Sequence, residues 1–171
     1  FNSAGTLASV SVLDTTAIDI ATLSVGALTV SSGGAITQSG GALIVTGASS
    51  FTSTGTDTNI DLSNAANNFG GTVTLNTTGT TSGDVSIDND TNALTLTGTI
   101  NGSLTVLNGG TIADSATLRV TGTSSFTTDA TGANITLSSS DLEGAITLST
   151  FATSNFTLDN GSQAVDRKSV V

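Results

Sequence analysis

The 171-residue sequence contains no histidine, cysteine, tryptophan, tyrosine, methionine or proline. Without histidine and cysteine, the chain cannot form a Ser-His-Asp triad, a Cys-His pair or a zinc site of the usual ligand types. We therefore expect a protein that is not an enzyme and that needs no cofactor. The absence of cysteine also means that the fold does not depend on disulfide bonds, which leaves the cellular compartment open.

Charge is scarce as well, and positive charge most of all. Charged residues make up 9% of the chain, against about 25% in typical globular domains. The basic residues are Arg119, Arg167 and Lys168, and the formal net charge is −10. Such a chain offers no basic surface for phosphate groups, so we expect no nucleic-acid partner. No apolar run approaches the ~18 residues of a membrane span, so we expect no membrane insertion.

The residues that are present alternate between apolar and polar in short segments. This period of two predicts β-strands, and clusters of Gly, Asn, Asp and Ser between the segments predict turns. No apolar period of 3.6 residues of useful length predicts a helix, so the fold class is all-β. The clearest segments are Leu28–Val30, Leu43–Val45, Ile60–Leu62, Val73–Leu75, Val85–Ile87, Leu94–Leu96 and Leu104–Val106.

Nearly the same sequence is present twice. VTGASSFTSTG at 45–55 returns as VTGTSSFTTDA at 120–130. The copies extend over roughly 10–84 and 85–155, a partial third copy covers 156–165, and 166–171 do not continue the pattern. Many short strands in a long repeat indicate stacked units, whereas a β-sandwich has no reason to repeat itself in order. We predict one parallel β-solenoid domain over 1–171, with eight or so coils of about 19 to 25 residues. The pattern leaves two-sided and three-sided coils open.

The aligned copies also predict the core, because apolar residues replace one another at equivalent positions. Phe51 and Phe126 are equivalent, and we expect them to stack inside the solenoid or to cap a corner. Phe69 is replaced by Leu142, again apolar for apolar. The predicted core residues are Phe51, Phe126, Phe69, Leu142, Val45, Val120, Ile60, Ile135, Leu62 and Leu137.

One short segment has the beginning of a calcium-binding loop. Asp88, Asp90 and Asn92 follow the D-x-D-x-N order and are the candidate metal ligands. However, the sixth position is Ala93 where such loops have Gly, and the twelfth is Thr99 where they have Glu. The alternative is a turn rich in Asp and Asn whose side chains cap its own backbone.

Other polar residues favour an ordinary surface. Asp141 and Glu143 are close carboxylates, but the first copy has Asn68 and Gly70 there, so no catalytic pair repeats. Arg119 lies within a strand pattern and is expected to point outward, with pairing to a carboxylate of a neighbouring coil as the alternative.

Threonine runs raise the possibility of ice binding, which needs the same Thr pair in consecutive coils. Thr95 and Thr97 correspond to Asp19 and Ala21 in the preceding copy. We therefore expect that the threonine array is not maintained. An ice-binding or glycan-binding solenoid is accordingly a less favoured alternative.

Three segments carry a resemblance to a known kind of protein: LTVSSGGAITQSGGALIVTGASSF (28–51), NNFGGTVTL (67–75) and VSIDNDTNALTL (85–96). They resemble the long repeats of bacterial filamentous-haemagglutinin-like and autotransporter-like surface proteins. The resemblance implies a right-handed parallel β-helix, export to the cell surface or the extracellular space, and a structural role in an adhesin or stalk. The partners would be neighbouring repeats and a host or cell-surface glycan or protein.

A second hypothesis is a self-assembling extracellular filament. A solenoid has two open ends, each with unpaired backbone groups. If the end of one subunit binds the opposite end of another copy of itself, the contact does not close and a fibre forms. The chain is then either a segment of a longer protein or a filament subunit.

Overall fold

The structure is a computed structural model that describes residues 7–80 and 82–161, and in these residues all regular structure is β-strand. Two parallel sheets contain the strands. The first sheet consists of β1 (Leu7–Asp14), β3 (Leu23–Ser32), β5 (Leu43–Val45), β6 (Ser49–Thr56), β8 (Asn68–Phe69), β9 (Thr72–Thr78), β11 (Leu94–Ile100), β13 (Ile112–Val120), β15 (Ile135–Leu137), β16 (Ser140–Leu142) and β18 (Phe156–Leu158). The second consists of β2 (Ile18–Asp19), β4 (Ile36–Thr37), β7 (Ile60–Leu62), β10 (Val85–Asp88), β12 (Leu104–Asn108), β14 (Ser124–Thr128) and β17 (Ile146–Ser149).

The second sheet shows the coils most simply, since its seven strands pair in chain order. Each strand belongs to one coil, so the described residues form seven coils where the sequence predicted eight or so. The strands pair in parallel and in register, with 18 to 25 residues from one coil to the next. The all-β parallel solenoid predicted from the repeat is confirmed.

Each coil contains three strand segments, because some strands of the first sheet bend and continue along a second side. β3 pairs with β5 through Leu23–Val25 and with β6 through Leu28–Ser32. Gly26 lies at the bend, where an added Cβ would be 2.4 Å from the carbonyl oxygen of Ala8 in the coil before. Only glycine permits this approach of two backbones. β13 is divided in the same way, pairing with β15 and then with β16.

The sequence repeat is not a whole number of coils. We count β3, β11 and β13 as two segments each, because each of them bends. Residues 10–84 then contain ten segments, and so do residues 85–155. Since one coil has three segments, each copy covers three coils and one segment more. The second copy therefore begins one side further round the solenoid. β6 and β14 contain the same SSF sequence, yet β6 lies in the first sheet and β14 in the second.

This displacement corrects the expectation for the two equivalent phenylalanines. Both side chains are fully buried, but they do not stack on one another. Phe51 aligns with Val30 and Leu75 in the adjacent coils, while Phe126 occupies the corresponding place in the other sheet. The aromatic neighbour of Phe51 is Phe69, with ring centroids 5.9 Å apart and planes at 79°, an edge-to-face geometry that aromatic pairs favour.

A single hydrophobic core extends along the coils. It forms because alternate side chains of each strand point inward and meet inward side chains of the strands above and below. The ten predicted core residues Phe51, Phe126, Phe69, Leu142, Val45, Val120, Ile60, Ile135, Leu62 and Leu137 are each at most 1% exposed.

Buried polar side chains lie at the edge of this core, at the ends of strands. Ser32, Ser53 and Thr77 lie in register in three successive coils. The Ser53 hydroxyl donates to the Gly34 carbonyl at 2.9 Å, and that of Thr77 donates to the Gly83 carbonyl at 2.8 Å. These bonds satisfy turn carbonyls that the ladders leave unpaired, which is the usual requirement for buried polar groups.

Candidate functional site

The candidate calcium ligands lie in the turn that follows β10. The Asp88 side chain accepts a 2.8 Å hydrogen bond from the backbone N–H of Asp90, and the Asn92 side chain donates a 3.2 Å bond to the carbonyl of Asn89. Asp90 has a φ of 53°, a left-handed conformation that Asp adopts more readily than most residues. The turn thus uses its Asp and Asn side chains to bond its own backbone, as the alternative reading of the sequence proposed.

A cleft of about 150 Å³ beside this turn brings a third carboxylate near the first two. Asp88 is 7% exposed, while Asp90 and Asp129 are exposed. Burial raises the pKa of the Asp88 carboxyl, the bond from the Asp90 N–H opposes this, and the charges of Asp129 and Asp90 add to the increase. Among the described residues, no group of three or more His, Cys, Asp or Glu is arranged to hold a metal ion.

Asn89, between the two candidate aspartates, has a structural role that the sequence analysis missed. Its side-chain amide accepts from Phe69 N at 2.5 Å and donates to Phe69 O at 3.3 Å. The amide therefore pairs with β8 as a strand of the next coil would. Asn160 makes the same two bonds to Leu142, at 2.7 and 3.0 Å. The signal was the Asp-Asn pair that the alignment places at 88–89 and again at 159–160.

Arg119 points outward and bonds two carboxylates, both in the neighbouring coil. Its Nε lies 3.4 Å from Asp141 Oδ2, and its guanidinium also contacts Glu143. The three side chains are between 34% and 38% exposed, so the network has the modest stabilising effect of surface ion pairs. The close carboxylates Asp141 and Glu143 are thus held by an arginine.

The outward hydroxyl rows are longer than the alignment of the copies indicated. Neighbours in adjacent coils are not the equivalent residues of the two copies, so Thr97 lies beside Thr74 and not beside its equivalent, Ala21. One row over five coils consists of Ser11, Thr29, Ser50, Thr74 and Thr97. The parallel row consists of Leu13, Ser31, Thr52, Asn76 and Thr99. Because the second row mixes side-chain types, no uniform pair of threonines repeats.

The N-terminal end of the solenoid contains an apolar cleft of about 220 Å³. Its lining includes Val10, Val12, Ile18, Ile20 and Leu23, the inward side chains of the first coil. The cleft lies at the end of the solenoid where the described residues form no further coil.

The opposite end also exposes apolar side chains. Phe151 is 52% exposed and Phe156 is 43% exposed. In the described residues, β18 pairs only with β15, so its other edge has no strand partner. Apolar residues are therefore exposed at the C-terminal end of the described solenoid and line a cleft at its N-terminal end.

No helix in the described residues is long and apolar enough to cross a membrane.

Comparison with known proteins supports the division of the sequence into two copies of one repeat. No curated protein and no solved structure matches the chain. A family model described as "Repeats of unknown function (DUF5649)" matches residues 4–76 and again 82–149. The matches identify a repeat protein, and the finer resemblance to filamentous haemagglutinins stays a proposal. The chain belongs to the family of DUF5649 repeats.

Proposed function

We propose that this chain is a non-catalytic structural segment of an exported bacterial surface protein, in which it serves as a rigid rod. The observation that supports this best is the continuous core shared by both family repeats. Because each coil packs on the next in the same way, repeats lengthen the rod without a new kind of interface. At about 4.8 Å per coil, seven coils correspond to roughly 34 Å.

The sides of the rod fit a spacer better than a small-molecule site. The cleft beside Asp61 and Asp84 has a volume of about 220 Å³, and the one beside Asp88 about 150 Å³. Small-molecule sites usually have about 300 Å³ or more. The outward rows consist mainly of hydroxyl and amide side chains, which keep a surface hydrated without many charges.

The surface location rests on the resemblance of 28–51, 67–75 and 85–96 to adhesin repeats. In such a protein, another part of the molecule would contact a glycan or a protein. The rod would hold that part at a distance from the cell. The partners of the rod itself would be neighbouring repeats.

Antibody labelling tests the location and the role together. Antibodies raised against the purified chain are expected to label intact cells of the source organism as strongly as permeabilised cells. Labelling of permeabilised cells alone would contradict the proposal. Small-angle X-ray scattering of the purified chain is the matching test of shape, and a compact particle without a long axis would contradict the rod.

A further inference from the structure

The contact between β5 and β8 in the first copy has a direct counterpart in the second copy. β5 pairs with β8 so that Val45 lies beside Phe69. The last part of β13 pairs with β16 in the equivalent register, so that Val120 lies beside Leu142. All four side chains are buried and apolar. The apolar pattern alone would therefore also permit the exchanged pairs, β16 beside β5 and β8 beside β13.

In the first copy, a pair of side-chain amides joins the two coils at this contact. The Gln38 amide donates a 2.6 Å hydrogen bond to Asn67 Oδ1, and the Asn67 amide donates a 3.0 Å bond to Gln38 Oε1. Asn67 is fully buried. Its Oδ1 also accepts a 2.9 Å bond from Leu43 N, and its amide also donates a 2.9 Å bond to the Leu62 carbonyl. These backbone groups fix the orientation in which Asn67 meets Gln38.

In the second copy, the equivalent residues are Asp114 and Ser140, and they bond in a different way. The Ser140 hydroxyl donates a 2.9 Å bond to Asp114 Oδ2. The carboxylate also accepts 2.8 Å bonds from the backbone N–H groups of Ser138 and Ser139. Asp114 is 9% exposed and Ser140 is 5% exposed. Because an ionised carboxylate only accepts hydrogen bonds, Asp114 needs donors from the neighbouring coil, whereas Gln38 needs an acceptor as well.

The turns before the paired strands differ in length in the same coordinated way. Residues 64–66 of the first copy stand where the second copy has Ser139 alone, and residues 39–42 stand where it has 115–117. Both neighbouring turns are therefore long in the first copy and short in the second. An exchanged pair of coils would place a long turn beside a short one.

Three outward positions of the same strands also change together. In the second copy, Arg119 contacts Asp141 and Glu143. The first copy has uncharged residues at these positions, namely Ile44, Asn68 and Gly70. If β16 lay beside β5, its two carboxylates would lie beside Ile44 and would lose their arginine. If β8 lay beside β13, Arg119 would lose both carboxylates.

We propose that these matched polar residues let each pair of coils recognise its own partner, so that strands of the two similar copies do not exchange places during folding. An exchanged pair would keep its apolar contacts but would leave buried polar groups of Asp114 or Asn67 without partners, which is costly. Single buried polar residues fix pairing register in coiled coils by the same means. Misassembly is a characteristic failure of repeat proteins. The inference concerns how the rod folds and does not depend on its location.

Segment exchange in the second copy tests whether the polar residues belong together. The first variant replaces 114–119 with QSGGALI, the sequence of 38–44. The second replaces 139–143 with NAANNLG, the sequence of 64–70 except that Leu142 is kept. Each variant alone should lower the Tm by about 5 °C or more, because it leaves buried groups unpaired. The double variant should melt within about 2 °C of the wild type, since the new amides then have one another.

Reciprocal exchanges in the first copy repeat the test where the surroundings differ. They replace 38–44 with DSATLR and 64–70 with SSDFE, in which Phe69 is kept. Recovery of the Tm in the double variants is the expected result. Small losses in the single variants, losses that simply add, or double variants that do not fold in either copy would overturn the proposal.

Thr123→Ala is the matched control. It also introduces a residue of the first copy, since Ala48 is the equivalent of Thr123, but the Thr123 hydroxyl bonds Ser103 in the coil before. Combined with the first variant, it should leave the lowered Tm unrestored. Recovery of the Tm with Thr123→Ala would show that the matching of the two segments is not the cause.

Refolding separates recognition of the partner from local stability. The double variant of the second copy has the same polar residues at both contacts, so an exchanged pair no longer leaves buried polar groups unpaired. After dilution from urea, it should give several-fold more misfolded or aggregated chain than the wild type, although the two melt at nearly the same temperature. Size-exclusion chromatography measures the refolded fraction. Equal refolded fractions would overturn the role in recognition.

Discussion

At the scale of single residues, Asn89 takes the place of a missing strand. It is fully buried, and besides its two bonds to Phe69 it donates a 3.0 Å bond to the Ala93 carbonyl. We expect Asn89→Ala to lower the free energy of unfolding by about 2 kcal/mol, because the buried N–H of Phe69 loses its acceptor. Urea denaturation measures the change.

Asn64→Ala is the matched control for this substitution. The Asn64 side chain accepts a 3.0 Å bond from Ala66 N in an exposed turn, where water can replace it. Its loss should lower the free energy of unfolding by less than about 0.5 kcal/mol. Equal effects of the two substitutions would show that the side-chain hydrogen bonds of Asn89 do not stabilise the junction between the copies more than those of an exposed turn do.

Asp88 is expected to make stability depend on pH in an unusual direction. Its pKa is raised by burial, so the folded chain binds this proton more tightly than the unfolded chain. The stabilising effect of the protonated group is complete below the unfolded pKa and is lost as pH rises through the folded pKa. Asp88→Asn should therefore raise the Tm at pH 7, and the gain should shrink as pH falls through the raised folded pKa and level off below the unfolded pKa of about 4.

Thermal melts of both proteins from acidic to neutral pH measure this difference. The control is Asp61→Asn, which removes one negative charge from an exposed position of β7. A gain for Asp88→Asn that does not change with pH, or that matches the control, would contradict the role of burial.

At the scale of elements, Gly98 is the residue that lets β11 cover two sides. The register between β11 and β13 shifts between Leu96 and Gly98. Gly98 has a φ of +123°, and an added Cβ would lie 2.1 Å from the Leu75 carbonyl oxygen. Gly98→Ala should lower the free energy of unfolding by about 3 kcal/mol, since backbone strain and a backbone clash combine.

Gly132→Ala separates these two causes. Gly132 also has a positive φ, +80°, but nothing lies within 4 Å of an added Cβ. Its substitution should cost about 1 kcal/mol, from strain alone. Chemical denaturation of both variants gives the comparison, and a similar loss in each would show that the close approach to Leu75 is unimportant.

The sequence was sufficient to predict strands but not the way they bend. Alternation of apolar and polar residues locates Leu43–Val45 and Ile60–Leu62 as strands, because inward and outward side chains follow the pleat. The continuation of β3 past Gly26 depends on a close approach of two coils, which no local pattern reveals. The role of Asn89 was missed for the same reason, since its partner Phe69 is 20 residues away.

At the scale of the whole molecule, the alignment of the copies identified the solenoid but misplaced its neighbours. Equivalent residues share an environment, and for this reason Phe51 and Phe126 are both buried. They do not share a side, because ten segments at three per coil leave one segment over. Stacking partners, such as Thr74 beside Thr97, must therefore be read from coils and not from the repeat.

Each copy has one segment more than three full coils contain, and this tenth segment predicts how longer arrays of the repeat are built. If residues 85–155 are inserted several times more before Phe156, each added copy should turn by about one third of a revolution and add roughly 16 Å of length. The reason is that ten segments make three and one third coils. Cryo-electron microscopy of the extended rods, averaged over the repeat, measures both quantities. Copies related by translation alone would contradict the assignment of three segments to a coil, whereas a one-third turn means that equivalent surface positions return to the same side after three copies.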